Sequence, residues 1–323
     1  KDRLANHAPI HFDISTLGYF TAPLVGASTV ILSDAHTILP GSLGKLIEAE
    51  RFSIWYSVPL ALTQLLQSGI LEQIDASSLR WVLYAGEAFP PKYLRALMEQ
   101  WSHSRFGNIY GPAEVNQCTY YHLPKAPEGD EPIPIGYTWG NTEYLILDEE
   151  DQEVPVGTMG ELLIRSATMM SGYWQKPDLT ARSLYRKKTA TGVEAIYYRT
   201  GDLFKLGEDG LLHFFGRKDA QVKVRGYRVE LDAIEVALVA HQAIAEAAVF
   251  TLRNAEEVNT IQAAVILNPE LALTEKEVLQ YLKSQLPFYA IPENIHIMDS
   301  FPRTSSGKIS RPQIKAAFQV TNS

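Results

Sequence analysis

The sequence predicts an α/β protein in three successive parts. A parallel α/β sheet layer is expected over about 1–131, a small antiparallel β barrel or sheet over about 132–218, and a small α+β unit over 219–323. Three observations carry this. Up to residue 131, apolar β-rich runs alternate with helical stripes, and strands separated by helices imply βαβ units and a parallel sheet. From about Pro132, short strands follow one another across Gly, Asp and Pro turns. Past Asp219 the pattern becomes helix, two strands, helix, strand.

In the first part, Leu43, Leu46 and Ile47 mark a helical stripe and Phe52 to Val58 reads as a strand. Pro59 then opens a helix to about Gln67, since proline suits a first helical turn. Arg80 to Ala85 reads as a strand ending at Gly86, Pro90 and Pro91 start a helix to about Trp101, and Gly107 to Tyr110 is a short strand. Ile14 to Ser33 carries no charge, but Pro23, Gly18 and Gly26 break it, so it reads as a buried helix and a buried strand (28–32) rather than a membrane span. In the second part the strands are Glu143 to Leu147, Gly160 to Arg165, Tyr197 to Thr200 and Leu211 to Phe215. In the third, a helix from Leu231 to about Ala240 precedes strands at 246–252 and 261–267. Thr274 and Glu277 have capping-box spacing before a helix with Val278, Leu282 and Leu286 on one face. A strand at 294–298 and a Gly/Ser loop over 301–311 follow.

A chain of 323 residues can bury about three quarters of its unfolded surface, so it can hold a sizeable core. The net charge of −8 argues against a general nucleic-acid binder. One cysteine, Cys118, excludes an internal disulfide and fits a reducing cytosol; it reads as a small core or pocket residue rather than a nucleophile. His11 and the other histidines lack partners at metal or triad spacing, and there is no GxSxG elbow or HExxH helix.

The stretch 197–231 holds the densest chemistry. Asp209-Gly210 between apolar runs is a hairpin signal. Such a hairpin brings Asp202, in a TGD turn, to the same end of a ribbon as Arg217. An acid that can hold sugar hydroxyls then sits beside a cation that can hold phosphate. Lys223, Arg225 and Arg228 surround Gly226 beyond it. In an open parallel sheet, ligands bind at the carboxyl ends of strands, where Gly86-Glu87-Ala88 and Tyr110-Gly111-Pro112-Ala113-Glu114 fall. A ring at such a turn can stack on a base, and a carboxylate can hold Mg²⁺. Lys308 in Ser-Ser-Gly-Lys is a cation that could meet a developing anionic charge.

Taken in order, YGPAE, GELLI followed by SGYW, YRTGDL, GRKDAQVKVRGYRVEL and SSGKISR resemble the adenylation domains of nonribosomal peptide synthetases. These belong to the adenylate-forming superfamily of acyl-CoA synthetases and luciferases. The resemblance runs through essentially the whole chain and implies the adenylate-forming enzyme fold. It also implies a reaction: a carboxylate and Mg·ATP give an acyl-adenylate and pyrophosphate, and the acyl group then passes to a carrier protein's phosphopantetheine thiol or to coenzyme A. By motif, Asp202 would hold the ribose hydroxyls with Arg217 assisting. Tyr110, followed by Gly111, would stack on adenine; Asn108 would touch its amino edge, and Gly86, Glu87 and Ala88 would line it. Glu114 would ligate Mg²⁺, and Lys308 would bridge substrate carboxylate and α-phosphate. Asp219 matches the hinge before a small mobile C-terminal domain, and the loop at Gly226 would then line the thiol's path.

Asp13, after Phe12 in HFDIS, matches the acid that pairs with an amino acid's α-ammonium. The other pocket positions would be Ile14, Leu17, Tyr56, Leu83, Ala85, Ile109, Gln117 and Cys118. This small apolar set is similar to that of stand-alone proline-activating enzymes, which makes L-proline the expected substrate and a separate carrier protein the expected partner. An acyl-CoA synthetase for a small carboxylic acid and a catalytically silent nucleotide-binding module remain the alternatives. Two departures stand out. Ala113 replaces the family's usual threonine, and the Ser/Thr/Gly-rich phosphate loop expected before HFDIS is missing, so the chain is expected to be the C-terminal portion of a longer protein.

Overall fold

Seven strands make the first sheet of the structure, a computed structural model that describes residues 1–188, 192–218, 221–255, 257–268, 271–303 and 309–319. They are β1 (Arg3–Asn6), β2 (Ser28–Ile31), β3 (Ile54–Ser57), β4 (Trp81–Ala85), β5 (Arg105–Tyr110), β6 (Thr119–Leu123) and β7 (Tyr137–Thr138). Their order is β2-β1-β3-β4-β5-β6-β7, parallel through β5 and antiparallel beyond it. Side chains alternate across a strand, and the alternation divides this sheet cleanly. Trp55, Val82, Tyr84 and Phe106 face one side, where the helices Pro40–Glu50, Pro59–Gln67 and Pro91–Gln100 supply Leu43, Ile47, Leu62, Leu65, Leu94 and Leu97. Each side chain fully buried there contributes about 1.5–3 kcal/mol. Tyr56, Leu83, Ala85 and Ile109 face the other side.

The segment Ile14–Ser33 corrects the sequence reading. It does form short helices followed by β2, but Phe20, Leu24, Val25 and Ile31 are 64%, 86%, 75% and 66% exposed. Of these, Ile31 lies on β2, an edge strand paired with β1 alone, and apolar composition by itself does not imply burial.

The small β barrel expected next takes the form of a five-stranded antiparallel sheet of β8 (Thr142–Leu147), β9 (Met159–Ser166), β10 (Leu184–Lys188), β11 (Glu194–Leu206) and β12 (Leu212–Arg217). The 13-residue β11 is its spine. β9 lies along one side, while β10 and β12 share the other.

By its contacts the chain divides into the units Lys1–Lys218 and Asp219–Ser323. The second unit holds the hairpin β13 (Gln221–Val224) and β14 (Tyr227–Glu230) and the sheet β15 (Ile244–Arg253), β16 (Asn259–Leu267) and β17 (Asn294–Ile297). Alternation along β15 sends Ala247 and Val249 toward the helices Leu231–Val239 and Glu275–Gln285. Ala248, Phe250 and Leu252 point to the opposite face, against Ile314 of the helix Arg311–Gln319. The capping box forms as its spacing indicates: the Glu277 amide donates to Thr274 Oγ1 (3.3 Å) and the Thr274 amide to Glu277 Oε2 (2.9 Å). Among the described residues no helix is long and apolar enough to cross a membrane.

Candidate active site

The parallel strands run in the order 2-1-3-4-5, so the winding reverses between β1 and β3. Ligands of open α/β sheets bind in the crevice outside the carboxyl ends of strands at such a reversal. The loop leaving β1 carries Phe12 and Asp13, and the end of β3 carries Tyr56. Register sets Tyr56 opposite Leu83 and Ala85 opposite Ile109. With Ile14, and with Leu17, Val58 and Tyr120 packed alongside, these form one apolar cluster. Six of the expected pocket residues are thereby together: Ile14, Leu17, Tyr56, Leu83, Ala85 and Ile109.

Asp13 opens a 3-10 turn over Asp13–Ser15, and its Oδ1 accepts the Ile14 amide at 2.9 Å. The Tyr56 hydroxyl is buried without a hydrogen-bond partner among the described residues. Burial, with the Asp13 charge second, pushes its pKa well above the usual tyrosine value. Phe12 is half-buried, its ring centroid 5.0 Å from that of His11.

Two further expected pocket residues are not members of this apolar cluster. Cys118 is fully buried in the neighbouring cluster with Tyr110, Val115 and Phe204, and its amide donates to Tyr110 O at 2.9 Å. Gln117 lies in the adjoining turn, where its amide donates to Asn116 Oδ1 at 2.7 Å.

The Asp-Gly hairpin places Asp202 directly opposite Arg217. Their side chains pair at 2.6 Å and are 5% and 12% exposed. The Tyr110 hydroxyl donates to Asp202 Oδ2 at 2.5 Å, and Arg217 Nη1 also reaches Thr200 O at 3.1 Å. Burial above all, with the Asp202 charge second, raises the Tyr110 pKa well above its ordinary value, which keeps it a donor. A carboxylate has about four acceptor positions; these two bonds occupy two.

The TGD segment is not the end of a strand but an interruption within one. The pairing of β11 with β9 shifts register between Arg199 and Leu203, and Gly201 sits at φ +70°. Such a bulge re-aims the side chain that follows it, here Asp202. Thr200 Oγ1 accepts the Asp202 amide (3.0 Å) and donates to Leu162 O (2.7 Å). Buried Glu161 accepts from the Gly201 amide at 3.3 Å and from Arg199 at 2.9 Å. Sequence reasoning missed Thr200 and Glu161 as supports. The signal was a charge inside the apolar run GELLI.

At the end of β5, Gly111 turns the chain so closely that a Cβ would stand 1.7 Å from Asn116 O. Glu114, beyond it, accepts from the Tyr173 hydroxyl at 2.7 Å, and its carbonyl accepts the Met170 amide at 2.7 Å. Tyr173, in SGYW, is a second missed partner. Among the described residues no group of three or more His, Cys, Asp or Glu is arranged to hold a metal. A lone carboxylate still suits Mg²⁺, which takes one or two carboxylates beside substrate phosphates. Asn108 is buried and donates to Pro134 O at 2.9 Å. Gly86, Glu87 and Ala88 leave the end of β4, with Gly86 at φ +97°. Asp219 and Lys308 lie outside the described residues.

Known proteins match along most of the chain. Residues 1–174 match the family model described as AMP-binding enzyme, and 233–308 that of the AMP-binding enzyme C-terminal domain. A protein of Pseudomonas fluorescens named L-proline--[L-prolyl-carrier protein] ligase is 33% identical over 96% of this chain and 59% of its own length. One of the same name from Streptomyces coelicolor is 36% identical over 95% of this chain and 57% of its own. The chain therefore spans somewhat over half the length of these relatives. The solved structure of holo-PA1221, described as a nonribosomal peptide synthetase protein containing adenylation and PCP domains, superposes with a TM-score of 0.84 at 26% identity, over 97% of this chain and 53% of that one. A family match over more than half of the chain, on an adenylate-forming fold, places it: the chain belongs to the AMP-binding enzyme family.

Proposed function

We propose that this chain is the part of an amino-acid adenylating ligase that holds the nucleotide and the amino-acid side chain, with L-proline as substrate. The observation that carries this reading is the placement of two groups at the carboxyl ends of adjoining parallel strands. An apolar cluster that includes Ile14, the neighbour of Asp13, lies at the ends of β3 and β4, and the Tyr110–Asp202–Arg217 constellation begins at the end of β5. The names of the two ligase relatives support the choice of proline.

In this reading Asp13 takes the substrate ammonium, and the small aliphatic cluster takes the ring. Asp202 accepts the ribose hydroxyls, Arg217 holds Asp202 in its orientation, and Tyr110, pinned through its hydroxyl, offers its ring to adenine beside the Gly86-Glu87-Ala88 turn. Asn108, at the adenine edge, would have to exchange its bond to Pro134. Glu114 would hold Mg²⁺, which would neutralise phosphate charge. A substrate carboxylate oxygen attacks the α-phosphorus, the bond to pyrophosphate breaks, and a carrier's phosphopantetheine thiol later displaces AMP from the acyl carbon.

The test is loading of a phosphopantetheinylated carrier protein by the full-length enzyme with ATP and L-proline, read by intact mass. The expected result is a prolyl thioester on the carrier, lost in Asp13→Ala. Loading of coenzyme A instead, indifferent to Asp13→Ala, would replace this reading with an acyl-CoA synthetase. AMP binding with no loading at all would leave only a nucleotide-binding module.

A further inference from the structure

Lys308 lies outside the described residues, but the chain on both sides of it is described and held at several points. Arg303 and Ile309 face each other as an antiparallel bridge, and the Ser310 amide donates to Pro302 O at 2.8 Å. Only the five residues 304–308 separate these two zipped arms. On the first arm, Arg303 Nη2 donates to both carboxylate oxygens of Glu246, at 2.7 and 2.6 Å. On the second, Arg311 Nε donates to Glu235 Oε1 at 2.9 Å, and its Nη2 donates to Glu235 Oε2. Glu235 Oε1 also accepts the Val249 amide at 2.7 Å. Glu246 and Val249 both belong to β15. The two arms are thus tied to one strand, the first directly and the second through the helix Leu231–Val239. Arg303, Glu246 and Arg311 remain partly exposed, and ion pairs of that kind add little to stability. What a forked arginine–carboxylate pair does supply is position.

We propose that Arg303 and Arg311 are positioning residues for Lys308: by fixing the arms on either side of it, they set where its ammonium is presented. The inference rests on the amino-acid adenylation reading, in which Lys308 bridges the substrate carboxylate and the α-phosphate. Two anions approach each other in that step, and a cation offsets their repulsion fully only if it is already in place. A displacement of about 1 Å can cost on the order of 10²-fold in rate where alignment matters. Neither arginine has to touch substrate or nucleotide; each acts through the backbone beside Lys308.

The experiment is proline-dependent ATP–pyrophosphate exchange by the full-length protein, in wild type, Arg303→Ala and Arg311→Ala, each with and without Lys308→Ala. Each arginine variant is expected to lose about tenfold or more in kcat, with KM for proline and for ATP close to wild type. In the Lys308→Ala background the same substitutions should cause no further loss of the residual exchange. The exchanged pair Arg303→Glu with Glu246→Arg should recover most of the lost kcat. Carrier loading from supplied prolyl-adenylate, which bypasses the step at the α-phosphate, should run at the wild-type rate in both arginine variants. A merely structural role would slow that loading too, and would lower exchange whether or not Lys308 is present. Wild-type exchange with proline but unaltered kcat in both arginine variants, or an equal loss without Lys308, would overturn this inference alone. No proline-dependent exchange in wild type would overturn the adenylation reading with it.

Discussion

At the residue scale, the site depends on a buried ion pair that serves geometry more than stability. Asp202 and Arg217 are almost withdrawn from water, and removing one partner of such a pair strands the other charge, at about 3–5 kcal/mol. Asp202→Ala should destabilise the protein by about that amount in urea titrations. Tyr110→Phe should cost about 1.5–3 kcal/mol, for one hydrogen bond to a charged group, and weaken AMP binding through the released carboxylate. His7 gives a second residue-level prediction. It stands near Trp55, ring centroids 5.7 Å apart, with Nε2 buried and without a partner among the described residues. Burial lowers its pKa from 6.5 to about 4. Between those values the unfolded chain binds a proton that the folded chain refuses. Stability is therefore full above 6.5 and falls as pH drops toward 4, by up to about 3 kcal/mol. His7→Phe should flatten that stretch of the stability-versus-pH curve. Asp202 and Arg217 were legible together because an Asp-Gly turn sets the register of its flanks. The Tyr110–Asp202 bond was not, since it joins residues 92 apart in sequence.

At the scale of elements, two turns aim the site. Gly111 has no room for a side chain, with Asn116 O in the way. Gly111→Ala should therefore shift the Tyr110–Glu114 turn and abolish AMP binding in calorimetry, with a stability loss of several kcal/mol, in the range of severe single substitutions. Gly210, at φ +75° with open space around it, is a milder case. Gly210→Ala should cost about 1 kcal/mol, from backbone strain alone, and leave AMP affinity close to wild type. Period-two alternation made the strands readable. The bulge at Thr200-Gly201-Asp202 was not, because a Gly between polar residues reads equally as a turn that ends a strand. The burial of 14–33 was misread because composition reports that a segment is apolar, not which of its side chains are covered.

For the whole molecule, the order of motifs carried the fold, and the order of strands locates the crevice. The reversal between β1 and β3 is invisible to local sequence, since it depends on which strands pair, yet it explains why HFDIS and Tyr56 converge. Cys118 read as a small core or pocket residue, and it packs in the cluster that holds Tyr110, Val115 and Phe204. Spacing fixes position along the chain and not the face to which a buried side chain turns. The central claim is that this crevice activates an amino acid through an adenylate. Its most direct measurement is ATP–pyrophosphate exchange by the full-length protein across a panel of amino acids. The account predicts exchange that depends on L-proline and falls about 10²–10³-fold in Asp202→Ala. Exchange no higher with any amino acid than without one would contradict it.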